Sequence, residues 1–173
     1  MIRAATTTAQ HLRRATFTST NATRLFATDA AASGKMTLNF SLPHETIYTD
    51  TKVAQVIIPG AAGDFGVTAD HVPTVAQVKP GVIQIQHDES DTTWEKYFVV
   101  GGFAITHKDS TTDISCPEAV KVDDIDSTAV SANFEKAKSA LAAAEAGSVA
   151  AAEAQIEMVV NGAMGSAVGL TLA

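Results

Sequence analysis

The residues best equipped for chemistry crowd into one stretch, Pro59 to Gly81 (PGAAGDFGVTADHVPTVAQVKPG), where Asp64, Asp70 and His71 stand among four glycines and three prolines. A carboxylate beside an imidazole is the raw material of acid-base catalysis, and glycine-rich turns can cradle phosphate. The spacing argues against both. Asp70 and His71 are adjacent in an extended segment, so their side chains point opposite ways, and no serine or cysteine stands near them in a nucleophile context. The glycines run G-x-x-G-x-x-G rather than as a dinucleotide fingerprint, strand-like alternation follows where a helix is needed, and no G-K-[ST] phosphate loop occurs. No catalytic residue is assigned.

Metal chemistry finds no better footing. The five histidines (His11, His44, His71, His87, His107) are scattered, and no pair has helical ligand spacing. Asp88, Glu89 and Asp91 lack the central glycine and terminal glutamate of a calcium loop and read as a solvated turn. The one cysteine, Cys116, excludes an internal disulfide and a cysteine-based zinc site, and reads as a small half-buried strand residue. No cofactor and no metal ligand are assigned. Dense glycine and proline instead mark Pro59 to Gly81 as a segment shaped by its backbone, as a binding edge is.

The elements around that edge are short and mostly of period two. Met36, Leu38, Phe40 and Leu42 alternate with Thr37, Asn39 and Ser41, the mark of a half-buried strand. A short strand at Thr46 to Thr49 turns at Asp50-Thr51 into a more apolar one, Lys52 to Ile58, which runs into the edge. Beyond it, Val82 to His87, a turn at Asp88 to Thr93, Trp94 to Val100, a bend at Gly101-Gly102, Phe103 to His107, Ile114 to Cys116 and Ala119 to Val122 follow at close spacing. Many short strands with frequent turns predict an antiparallel β-sandwich or barrel over residues 36–122. At Asp123 the period changes. Val130, Phe134, Ala137, Leu141 and Ala144 line one helix face, Gly147-Ser148 interrupts it, and Val149, Ala152, Ile156, Val159 and Ala163 line another. An antiparallel two-helix hairpin is expected over 123–161, with those two faces together, followed by a flexible glycine-rich tail over 162–173.

Composition narrows the partners. Nowhere do 18 apolar residues run together, so no membrane-spanning helix is expected. All four arginines (Arg3, Arg13, Arg14, Arg24) precede the first acid, Asp29, in a serine-, threonine- and alanine-rich stretch that reads as an organelle presequence over 1–26, with a linker over 27–35. Removing it subtracts four positive charges and no negative one, which takes the net charge from −7 to −11. A protein this acidic is not expected to bind nucleic acid.

The stretch GAAGDFGVTADHVP followed by KPGVI, together with Lys96 to Ala104 (KYFVVGGFA), Glu118-Ala119 and an alanine-rich hairpin containing Ala154-Gln155-Ile156, resembles the δ subunit of mitochondrial ATP synthases, the equivalent of the bacterial and chloroplast ε subunit. Gly60, Gly63, Asp64, Gly66, Val67, His71, Pro73, Pro80 and Gly81 occupy the motif positions. The resemblance covers about residues 36–161. It implies a sandwich of about ten strands followed by a helical hairpin, and a non-catalytic rotor role at the foot of the central stalk. There the protein would hold the γ subunit to the ring of c subunits, peripheral to the mitochondrial inner membrane on its matrix side, with the small mitochondrial ε subunit as a further partner. It also implies a ring-facing loop formed by Gly63, Asp64, Phe65, Gly66, His71, Val72, Pro73 and Thr74. Asp64 would meet basic or amide groups, and Phe65 and Val72 would be apolar anchors. Nucleotide binding, which bacterial relatives achieve with arginines in the helical part, is not carried over, since no arginine follows Arg24. The competing reading is a free-standing β-sandwich that binds a ligand in the matrix, which calls for a concave patch of exposed aromatics.

Overall fold

The computed structural model describes residues 34–172. The presequence expected over 1–26 and all but the end of the linker expected over 27–35 lie outside the described residues.

Ten strands precede two helices: β1 Met36–Ser41, β2 Thr46–Val53, β3 Gln55–Gly60, β4 Gly63–Thr68, β5 Thr74–Val78, β6 Gly81–Gln86, β7 Glu95–Val99, β8 Gly102–Thr106, β9 Thr111–Ser115, β10 Ala119–Lys121, then α1 Ser127–Ala143 and α2 Val149–Ala167. The ladder runs β10-β7-β6-β3-β5-β8-β9-β1-β2, with β4 on β3 alone. Neighbours are antiparallel except β1 and β9, which pair in parallel with Phe40 opposite Ile114. Between β3 and β5 the ladder narrows to one pair, Gly60 opposite Val78. The two halves of the ladder face each other across a shared core, so the rings of Phe40 on β1 and Tyr97 on β7 meet edge to face at 5.7 Å. Met36, Leu38, Val56, Ile58, Ile83, Ile85 and Ile114 fill the space between them. Their alternation with polar neighbours is what fixes register, since a one-residue slip would expose the whole set.

One break between strands is displaced from the expectation. No turn breaks the chain at Asp50-Thr51. β2 runs through to Val53, and the irregularity is absorbed by Asp50, at φ +45°, whose N–H donates to Asn39 Oδ1 at 2.7 Å. The break comes instead at Ala54. Gly101 and Gly102, both at positive φ, make the expected bend, and a Cβ on Gly102 would lie 2.3 Å from the Ser115 carbonyl oxygen.

The hairpin begins where expected. Asp126 caps α1, accepting from the N–H groups of Thr128 and Ala129, and the Ser148 hydroxyl caps α2 by accepting from Ala151. Val130, Phe134 and Ala137 are buried as the α1 stripe predicts. The α2 stripe is turned the other way. Ala154 and Gly165 are the buried α2 residues, while Val149, Ile156 and Val159 are exposed. The tail is also more ordered than expected, because α2 continues past Asn161 to Ala167. Its glycines serve packing: a Cβ on Gly162 would touch the Phe134 ring at 3.5 Å, and one on Gly165 would meet Leu172 at 2.6 Å. Gly169, at φ +79°, then closes the helix, with Leu170 N–H donating to Gly165 O and Gly169 N–H to Ser166 O. That pair of bonds is a Schellman cap, which satisfies carbonyls the helix end would leave bare.

Candidate functional site

The residues expected on one ring-facing loop are spread along an edge strand and the loop after it. Gly63, Asp64, Phe65 and Gly66 belong to β4; His71, Val72 and Pro73 form the β4–β5 loop; and Thr74 starts β5. Gly63 and the His71 to Pro73 loop flank β4, whose five residue steps at about 3.3 Å each span roughly 17 Å, while Thr74 returns on β5 to border a groove with Gly63, Asp64 and Phe65. Among the described residues β4 has β3 as its one ladder partner, leaving its outer edge unpaired, and Gly63, Asp64, Gly66 and Thr68 are exposed along it. Val67 points inward and is buried, which anchors the strand.

At the Gly63 end, Asp64 Oδ1 lies 3.2 Å from Lys79 Nζ. Asp64 thus has a basic neighbour within this chain. Both side chains are well exposed, so the pair contributes little to stability. They border a groove of about 350 Å³ against Ala163, Ser166 and Ala167 of α2. Phe65 is half-buried against the core. A second groove of about 530 Å³ lies between Gly60–Phe65 and Thr74–Gln77.

At the other end Val72 is 68% exposed, as an apolar anchor should be. Its carbonyl accepts from the Thr74 hydroxyl at 2.9 Å and sits 2.9 Å from His71 Nδ1. His71 therefore props the loop backbone and has no acid partner among the described residues: Asp70 turns away at φ +58° and bonds to Ser110. Among the described residues no group of three or more His, Cys, Asp or Glu side chains comes together as metal ligands would.

Three features went unread in the sequence. The outer face of β5 and β8 carries Val75 and Phe103, 73% and 58% exposed, with Ile105 opposite Val75, while the small residues Ala104 and Thr106 point inward. The signal was present, since bulky and small residues alternate in FAIT, but a bulky residue is ordinarily placed inside. The outward stripe of α2 is the second feature. Each leaves large apolar side chains exposed, as surfaces that contact other proteins do.

The third is a polar knot on Glu95. Its carboxylate accepts from the Tyr48 and Tyr97 hydroxyls, lies 2.9 Å from Lys121 Nζ and 3.2 Å from His87 Nε2. Partial burial pushes its pKa up, but the hydrogen bonds from Tyr48, Lys121, His87 and Tyr97 outweigh it and bring the carboxyl down from 4.5 to about 2. Burial and then Glu95 hold the phenols of Tyr48 and Tyr97 above their ordinary value, and Glu95 does the same for Lys121. Tyr48 comes from β2 and Glu95 from β7, strands near the two ends of the ladder, so the knot ties the sandwich shut.

The model of the ATP synthase Delta/Epsilon chain beta-sandwich domain matches residues 35–122. The mitochondrial ATP synthase F(1) complex subunit delta of Dictyostelium discoideum is 43% identical over 132 residues, 75% of this chain and 76% of that protein. ATP synthase subunit delta of Saccharomyces cerevisiae mitochondria is 36% identical over 140 residues, 81% of this chain and 86% of that one. A chain in the cryo-EM structure of the Euglena gracilis mitochondrial ATP synthase shares the fold at a TM-score of 0.73 and 24% identity, covering 80% of this chain and 84% of that one. A chain of the central stalk and c-ring structure from Tetrahymena thermophila does so at 0.52 and 15%, covering 78% and 96%. With its sandwich matched end to end and relatives aligned into the helical hairpin, this chain belongs to the ATP synthase delta/epsilon family.

Proposed function

We propose that this protein is a non-catalytic rotor subunit of a mitochondrial ATP synthase, joining the γ subunit to the c ring on the matrix side of the inner membrane. The observation that carries the reading is where the apolar side chains lie: on a chain of net charge −7, Val72 is left exposed on the β4–β5 loop, Val75, Phe103 and Ile105 on a sheet face, and Val149, Ile156 and Val159 on a helix face. A protein built into a larger assembly needs such faces; a solitary one is harmed by them. The free β4 edge and the β4–β5 loop, from Gly63 to Thr74, are the surface we assign to the ring. Its contacts would come from His71, Val72 and Pro73 at one end and from the Asp64 and Lys79 pair at the other. The face of β5 and β8 is assigned to γ, and the outward stripe of α2 to the mitochondrial ε subunit. No helix among the described residues is long and apolar enough to cross a membrane, in keeping with a peripheral place.

Rotational load spread over several surfaces suits a joint whose strength comes from total interface rather than from one contact, at upward of roughly 1,600 Å² in all. A free-standing ligand-binding sandwich is less favoured, because among the exposed large apolar side chains of the described residues Phe103 is the one aromatic. The test is to replace His71, Val72 and Pro73 together by alanine in the intact enzyme. The reading predicts ATP hydrolysis that continues while proton pumping per ATP falls. Unchanged coupling in a fully assembled enzyme would refute the ring assignment of this loop.

A further inference from the structure

Two residues outside glycine hold left-handed backbone at neighbouring places: Asp70 at φ +58° in the β4–β5 loop and Ser110 at φ +63° in the β8–β9 turn. Such conformations are uncommon for residues with a Cβ, and persist where surroundings over-determine them. Here the two residues hold each other. The Asp70 N–H donates to Ser110 Oγ at 2.9 Å, and the Ser110 hydroxyl donates back to Asp70 Oδ1 at 3.3 Å. Ser110 is itself fixed, its carbonyl accepting the Thr37 N–H of β1 at 2.9 Å. Within the loop, His71 N–H reaches Thr68 O at 3.4 Å, and the Val72 carbonyl takes the Thr74 hydroxyl and lies against the His71 ring. Among the described residues, the hydrogen bonds that leave residues 69–73 for another part of the chain both end on Ser110.

We propose that Ser110 is a positioning residue for the β4–β5 loop, clasping Asp70 so that Val72 and Pro73 are held rigidly against the sandwich and torque passes through the loop without slack. This rests on the assignment of the loop to the ring. The clasp joins the loop to the turn between β8 and β9, and through Thr37 to β1, so an edge that has no ladder partner on its outer side is braced at its far end by the opposite half of the sandwich. A hydroxyl suits the task because it accepts from one group and donates to another at a single atom.

Glycine substitution separates the clasp from the backbone geometry, since glycine adopts positive φ without strain. Ser110→Gly removes both hydrogen bonds and keeps the turn; Asp70→Gly removes the longer bond and keeps the N–H donor. In the full chain, amide exchange over residues 70–72 is expected to quicken about fivefold to tenfold in Ser110→Gly and less in Asp70→Gly, with the melting temperature of each unchanged or raised. In the assembled enzyme Ser110→Gly is expected to pump fewer protons per ATP hydrolysed, while Lys108→Ala in the same turn matches the native enzyme. Exchange unchanged in Ser110→Gly overturns the clasp. Faster exchange with native coupling overturns its role in coupling. If the triple alanine replacement of His71, Val72 and Pro73 is equally silent, the fault lies in the ring assignment, and if that replacement uncouples while Ser110→Gly does not, it lies in the clasp.

Discussion

Glu95→Gln is the sharpest probe of how the sandwich is kept closed. The carboxylate sits among donors from Tyr48, Tyr97, Lys121 and His87, and the amide that replaces it presents an NH₂ group to some of them and no charge to any. A fall in pKa from 4.5 to about 2 would correspond to about 3.5 kcal/mol at 1.4 kcal/mol per unit. The side chain is 30% exposed, so solvent screening cuts this by more than half, to about 1.5 kcal/mol. Because the folded pKa lies below the unfolded one, the contribution is complete above about pH 4.5 and is lost as the pH falls toward 2. In urea titrations at pH 7 the variant should therefore be about 1.5 kcal/mol less stable, or about 3 to 6 °C lower in melting temperature for a chain of this size. At pH 3 the gap should shrink to less than half. A gap under about 0.5 kcal/mol at pH 7, or one as large at pH 3 as at pH 7, would refute the reasoning.

Three more outcomes follow from the packing. Ile156→Asp, on a side chain 63% exposed, should leave the urea midpoint of the free chain within about 0.5 kcal/mol of native, yet reduce incorporation into the ATP synthase on native gels. Gly102→Ala should lose more than about 2 kcal/mol in the same titration, since φ is +141° and the new Cβ would meet the Ser115 carbonyl oxygen at 2.3 Å. Asp126→Ala removes an N-cap that accepts from two backbone N–H groups and should destabilise α1 by about 1 kcal/mol, read as earlier loss of helical circular dichroism.

The sandwich was legible because its alternation is strong: Met36, Leu38 and Phe40 each face inward, as do Ile83 and Ile85. The hairpin was legible in its caps and in the α1 stripe. The orientation of α2 was not, because the helix carries two candidate faces, one of Val149, Ile156 and Val159 and one of Ala151, Ala154, Met158 and Gly162. Hydrophobicity favours the first, but the second lets the helices approach closely enough for Phe134 to rest over Gly162. Gly162 and Gly165 were read by helix propensity alone, which counts their entropic penalty and not the Phe134 and Leu172 side chains they admit. Of the candidate site, Val72 and Pro73 are exposed on the β4–β5 loop. The Gly63 to Gly66 end became a strand, with Asp64 paired to Lys79 and Phe65 drawn toward the core. The Glu95 knot and the Ser110 clasp were beyond reach, since Tyr48, His87, Glu95 and Lys121, or Asp70 and Ser110, meet only when distant strands are brought together.

The rotor assignment is tested most directly by a cross-link from Val72→Cys in the assembled enzyme. The native Cys116 is buried and its thiol is pushed up to about 11 by burial, so a thiol-specific cross-linker at neutral pH reads position 72 alone among the cysteines of the chain. The account predicts a product between this chain and the c subunit, in an enzyme that still synthesises ATP, because both partners turn together. A product that halts turnover, or no c-subunit product in a fully assembled enzyme, would contradict it.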